Sequence, residues 1–168
     1  MDFESLYRRE IAAVWRYARA RVPNSLEAQD LVAETFARAL EAWSGYDPAR
    51  GTRGAWLFGI ARNTVADFLR GRASAGGSRE TPVETERLDT ESAPPDKALY
   101  EEETLSELRL GIEGLSDRER DALALRFGAG LRASELGEVL GITEAAAKML
   151  AHRAVQKLRG VMTHGGRS

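Results

Sequence analysis

The stretch Ser134-Glu-Leu-Gly-Glu-Val-Leu140-Gly141-Ile-Thr143-Glu-Ala-Ala-Ala147-Lys148-Met149-Leu-Ala151-His152-Arg153-Ala154 decides the fold. Its first half is a short helix by period, with Ser134 placed to cap Glu135 to Leu140. Gly141-Ile142 turns the chain, and Thr143 is placed to cap a longer helix. On that second helix Ala147, Ala151, Ala154 and Leu158 fall on one side. Lys148, Met149, His152, Arg153 and Gln156 fall on the other. A short helix, a glycine turn and a longer basic helix make a helix-turn-helix pattern, whose second helix offers donors to a major groove. A solvated charged face is the plain alternative for the same residues. His152 has neither a second His nor a Cys at ligand spacing, so it is read as a surface residue rather than a metal ligand.

Working outward, the preceding segment is helical too. Ser116-Asp-Arg-Glu119 has the form of a capping box and opens a helix running through Phe127, broken by Gly128-Ala-Gly130. Leu99, Leu105, Leu108 and Ile112 form an earlier apolar stripe. The N-terminal part predicts three helices. Phe3, Tyr7, Ile11, Val14, Ala18 and Val22 carry the first, which ends at Pro23. Asn24 with Glu27 resembles a second capping box, and the helix behind it runs to Trp43 and Ser44-Gly45. After the turn Tyr46-Asp-Pro-Ala-Arg-Gly51, the third carries Trp56/Leu57, Ile60/Ala61, Thr64/Val65 and Phe68/Leu69, stopping at Gly71. No alternating strand pattern competes, so the expected fold class is all-α.

Between the two parts lies a segment of different composition. Ala73 to Ser78 is small and glycine-rich, and Glu80 to Asp96 is acidic with Pro82, Pro94 and Pro95. Such a segment has little to bury and reads as a flexible acidic linker. The expected organisation is therefore a helical domain over 1–72, a linker over 73–97, a second helical domain over 98–162 and a frayed tail over 163–168. The formal net charge of −2 divides as +2 for residues 1–72, −6 for 73–104 and +2 for 105–168. Two basic ends flank an acidic middle.

The 168 residues include no cysteine, which excludes a disulfide scaffold, a Cys-ligated zinc and a thiol nucleophile. No apolar run approaches the ~20 residues needed to span a bilayer, so a cytoplasmic protein without membrane insertion is expected. No phosphate-binding glycine loop, His-Glu-x-x-His arrangement or serine elbow occurs, so neither catalytic residues, a metal site nor a cofactor is expected.

Two further clusters stand out. Arg53, Trp56, Arg62, Asn63 and Arg70 on the third helix combine stacking planes with charges, the pattern for single-stranded DNA, although Trp56 and Phe68 also read simply as core aromatics. Asp30, Glu34 and Arg38 project from the second helix. As they stand they are a charge ladder that supports the helix, and a functional role would need a protein partner.

At this point two segments become informative together. Asp30 to Leu40 followed by Trp56-Leu-Phe-Gly-Ile-Ala-Arg-Asn63 resembles region 2 of bacterial RNA polymerase sigma factors. Leu115 to Phe127, then Glu135 to Thr143 and His152-Arg-Ala154, resembles region 4. Two such domains joined by an acidic linker resemble the extracytoplasmic-function (ECF) subfamily. The resemblance implies that Asp30, Glu34 and Arg38 dock on core RNA polymerase. It implies that the loop and helix from Tyr46 to Arg72 open the minus-ten element and hold its unpaired non-template strand. Trp56 and Asn63 match the positions that capture an unstacked base. The helix from Thr143, with Lys148, Met149, His152 and Arg153, would read the minus-thirty-five duplex. An anti-sigma factor is the further partner implied. Two departures are visible: Ala33 replaces the glutamine of many relatives, and Met149-Leu150 replaces a Ser-Arg pair. A helix-turn-helix regulator acting without polymerase is the alternative reading of the same domains.

Overall fold

Helix α1 (Phe3–Arg21) begins where Asp2 accepts a hydrogen bond from the Ser5 amide at 2.8 Å. In the computed structural model, which describes residues 2–74 and 110–165, α2 follows over Ser25–Glu41, with Asn24 accepting from the Glu27 amide at 3.0 Å. Only half of the expected capping box forms there. The Glu27 carboxylate reaches instead to Arg72, 3.0 Å away on the next helix. Two single 3-10 turns, Trp43–Gly45 and Pro48–Arg50, lead to α3 (Arg53–Ser74). Thr52 caps it, its hydroxyl accepting from the Ala55 amide at 3.1 Å.

Helix α3 does not stop at Gly71 as its sequence suggests. One interior glycine costs a helix only ~1 kcal/mol, and Arg72 lies against both Glu27 and the Phe68 ring, holding the last turn in place. Apart from Ala73 and Ser74, which close α3, the expected linker lies outside the described residues. So do positions 98–109 of the second domain and the last three residues of the tail.

The second helical unit is described from residue 110. The Ser116 capping box is complete: Ser116 Oγ accepts from the Glu119 amide, and Glu119 accepts from the Ser116 amide, each at 3.1 Å. It opens α4 (Asp117–Leu123), which widens into a π turn over Ala124–Gly128 closed by the Ala129 amide on the Ala124 carbonyl. The chain then forms α5 (Ala133–Leu140) and α6 (Glu144–Gly165). Helix α5 starts one residue before Ser134, with Arg132 in the capping position and no side-chain cap. Gly141, at φ 69°, supplies the left-handed residue that turns the chain between them. Thr143 caps α6 as expected, accepting from the Ala146 amide at 3.1 Å. There is no strand among the described residues, and none of their helices is long and apolar enough to cross a membrane.

The two units do not stand apart. Leu6, Val14, Tyr17, Leu31, Phe36, Leu57, Phe58 and Val65 from α1 to α3 share one buried apolar cluster with Leu125, Leu131, Leu136, Ala147 and Ala151. Each unit alone would bury only ~60% of the surface its unfolded chain exposes. Packed together, α1 against the π turn and α3 against α5, they enclose a common interior.

Candidate nucleic-acid interface

The first candidate site is built around the start of α3. The guanidinium of Arg53 lies 3.9 Å from the centroid of Trp43 and 4.0 Å from that of Tyr46, with Trp56 at 6.0 Å. Trp56 in turn packs edge-on against both other rings, at 6.1 and 5.7 Å. The Arg53 Nη1 atom is buried without a hydrogen-bond partner, its charge set against ring faces instead. Arg53 thus fastens the loop over residues 43–52 to α3, and Tyr46 adds a hydrogen bond to the Gly51 carbonyl at 2.8 Å.

Beside this aromatic cluster opens a cavity of about 380 Å³. Tyr46, Arg50, Thr52, Trp56 and Asn63 line one side of it, and Glu138 and Val139 of α5 line the other. Asn63 is exposed and Trp56 half-buried. The cavity therefore joins a flat aromatic wall, an amide that both donates and accepts, and a nearby cation. It has the elements needed to hold a planar heterocycle. Gly51, at φ 152°, allows Glu138 to come close, since a Cβ there would sit 2.9 Å from Glu138 Oε2.

The other expected strand contacts are differently placed. Arg62 is half-buried and donates through Nε to Asp121 Oδ2 at 2.9 Å, across the boundary between the two units. Arg70 is exposed and pairs with Asp67. Asp67 also receives Arg38 Nη1 at 3.0 Å, and Arg38 Nη2 reaches Glu34 at 2.6 Å. Arg38, then Arg70, hold the Asp67 carboxyl below its ordinary value by donating to its charged form. Asp30 and Glu34 stay exposed on the same face of α2. That face carries negative groups beside an arginine already engaged.

The second candidate site is the outer face of α6. Ala147, Ala151 and Ala154 are buried against α4 and α5, whereas Lys148, Met149, His152, Arg153 and Gln156 are all exposed. The predicted division of this helix is the observed one. Leu150 is half-buried and packs toward the core, so it presents no group to a groove. Lys148 lies 3.6 Å from Glu144 one turn earlier, a loose pair with both side chains well exposed. A second cleft of about 380 Å³ lies along this helix, flanked by Lys148, His152 and Arg159 and closed at one end by the exposed Phe127.

Comparison with known proteins follows the same division. The Sigma-70 region 2 family model matches residues 6–75, and the Sigma-70 region 4 model matches residues 111–160. The ECF RNA polymerase sigma factor SigD of Mycobacterium tuberculosis is 33% identical over 159 residues, covering 91% of this chain and 73% of that protein. The chain belongs to the ECF sigma factors. The ECF sigma factor BldN of Streptomyces coelicolor is 34% identical over 170 residues, and there the match covers 98% of this chain but only 62% of the relative. Among solved structures, CnrH in complex with the cytosolic domain of CnrY superposes with a TM-score of 0.67. It is 25% identical, over 96% of this chain and 88% of that one.

In this sigma factor the region 2 match contains α1 to α3 and the aromatic cavity, and the region 4 match contains α4, α5 and most of α6. Sequence reasoning missed three residues of the site: Thr52 and Glu138, which line the cavity, and Asp121, which holds Arg62. Thr52 announces itself as a threonine directly before a helix, a signal that was readable. Glu138 and Asp121 carry no such signal, because both meet region 2 only through the tertiary fold.

Proposed function

We propose that this ECF sigma factor divides its work between the two sites as follows. The cavity beside Trp56 and Asn63 takes an unstacked base of the non-template strand at the minus-ten element, with Arg62 and Arg70 supplying charge along that strand. The exposed face of α6, through Lys148, Met149, His152 and Arg153, contacts the minus-thirty-five duplex, and Thr143 fixes the start of that helix. Asp30, Glu34 and Arg38 on α2 form the docking face for core RNA polymerase. The polymerase carries out nucleotidyl transfer, and the sigma factor itself, a promoter-specificity subunit, is not an enzyme. Its domains are residues 1–72 and 98–162, it acts in the cytoplasm with the transcription machinery, and an anti-sigma factor is its further partner.

One observation carries the reading: a cavity roomy enough for a base, with an aromatic wall and an exposed amide that both belong to the segment matching region 2. Capturing a base costs a few kcal/mol of unstacking, and stacking returns ~1–3 kcal/mol per base with the amide adding selectivity. Arg53 contributes by holding Trp43, Tyr46 and Trp56 in register rather than by touching phosphate. The test is Asn63→Ala in the holoenzyme. Open-complex formation on a cognate promoter should fall much more than closed duplex binding does, and equal losses in both refute base capture.

A further inference from the structure

The exposed face of α6 is not uniformly basic. Ala145, Met149, His152 and Gln156 are all exposed and succeed one another at helical spacing, so they form one line down the middle of that face. Lys148 lies on one side of the line, 3.6 Å from Glu144, and Arg153 lies on the other. Cations at the two edges fit a major groove, whose walls carry phosphates and whose floor carries base edges. Met149 is the misfit in the line. It is 49% exposed, and its thioether can donate no hydrogen bond. Leu150 beside it packs toward the core, as an apolar side chain ordinarily does.

We infer that Met149 is a specificity-determining residue that reads the 5-methyl group of a thymine, so that the minus-thirty-five element of this sigma factor carries a T·A pair where Met149 enters the groove. In the major-groove code the thymine methyl is the apolar group, and the remaining groups are hydrogen-bond donors and acceptors. A thioether set against those would take them from water without replacing what they lose. Met149 stands in the second turn of α6, the part of a recognition helix that reaches base edges. Ala145, one turn nearer the start, ends at its Cβ and leaves the methionine room along the groove floor. The unbranched methionine chain adjusts to the depth at which a methyl lies. Lys148 and Arg153 then hold phosphates at the two walls, and base selection falls to the line between them. The inference rests on α6 meeting duplex DNA.

The test compares the parent with Met149→Ala, an exposed change to the strongest helix former, each in holoenzyme with core RNA polymerase. Each holoenzyme selects from duplex DNA randomised across both promoter elements, and the bound fraction is sequenced. The parent should enrich a thymine at one position of the minus-thirty-five segment, and Met149→Ala should lose that preference while keeping the others. In the selected duplex, deoxyuridine in place of that thymine removes the methyl alone. It should weaken binding by the parent about fourfold, the worth of one buried methyl-sized group, and leave Met149→Ala unchanged. Conversely, 5-methylcytosine at that position should bind the parent about fourfold better than cytosine does. The same sequence preference from both proteins, or equal losses on deoxyuridine substitution, overturns the inference. Arg153→Ala separates it from the reading beneath it. If Arg153→Ala lowers the salt slope of duplex binding while Met149→Ala selects the same sequences as the parent, α6 meets the duplex and the methyl contact is wrong. If neither change alters duplex binding, α6 does not meet the duplex and the inference falls with that reading.

Discussion

Replacing Tyr17 with phenylalanine removes a single oxygen from the join between the two helical units. The ring is fully buried and meets Phe58 edge-on at 6.5 Å, so Tyr17→Phe leaves the packing in place. What is lost is the hydrogen bond to Asp121 Oδ1 at 2.7 Å. A buried hydrogen bond to a charged group contributes ~1.5–3 kcal/mol. Asp121 keeps Arg21 and Arg62, so its carboxylate is not stranded, which places the expected cost at about 2 kcal/mol. For a chain of this length that is a fall in Tm of about 4–8 °C. Asp121→Asn should cost more, about 3 kcal/mol, because it leaves the buried Arg21 with only the exposed Asp117, 3.8 Å from Nη2. The informative quantity is the coupling between the two changes, measured by urea unfolding of the single and double variants. Tyr17 lies on α1 and Asp121 on α4, so coupling of about 1–2 kcal/mol is expected only if the units are packed as described. Coupling below ~0.5 kcal/mol, the range of independent sites, refutes that packing. The same join sets an alkaline limit. Burial first, then the charge of Asp121, raises the Tyr17 phenol well above its ordinary value of 10.0. Its contribution is complete below that pH and is lost as the pH rises toward the folded-state value.

Three further outcomes are expected. Lys148→Ala and Arg153→Ala should each lower the slope of log binding against log salt by about one on duplex promoter DNA, measured in the holoenzyme; an unchanged slope removes that residue from the phosphate contacts. Ser116→Ala breaks both halves of the capping box that opens α4 and should cost ~1 kcal/mol, read as a Tm about 2–4 °C lower by scanning calorimetry. Glu119 is held below its ordinary value of 4.5, first by the Lys157 ammonium 2.9 Å away and then by the Ser116 amide. Its stabilisation is therefore complete above about pH 4.5 and lost as the pH falls through the lower folded value. Melts between pH 6 and pH 3 should show a smaller loss for Lys157→Met than for the parent, and parallel curves would refute the pairing.

The exposed face of α6 was legible residue by residue. Its alanines recur at helical spacing, Thr143 and Gly141 are local signals, and a helix facing solvent on one side obeys its own period. Helix α1 was less legible. The expected stripe included Tyr7, which is 39% exposed, and omitted Leu6 and Tyr17, which are fully buried. Helix α3 likewise buries Phe58 in addition to the Leu57 side that its period announced. Both helices carry apolar groups on two faces because each packs against its neighbours in region 2 and also against region 4. A single-helix period cannot reveal the second contact.

The cavity divides in the same manner. Trp56 and Asn63 are placed by their position on one helix, and the sequence named both. Arg53 was named for phosphate, but its charge rests against Trp43 and Tyr46, ten and seven residues earlier in the chain. The sequence by itself determined the helices, most of their caps, the two families of motif and the exposed polar face of α6, because all of these depend on neighbours within a few residues. Only the tertiary structure decided that Asp121 and Glu138 sit on region 2, holding Arg62 and Thr52. Those contacts join residues 59 and 86 positions apart, and a carboxylate's nearest cation across such a distance is set by packing rather than by order along the chain.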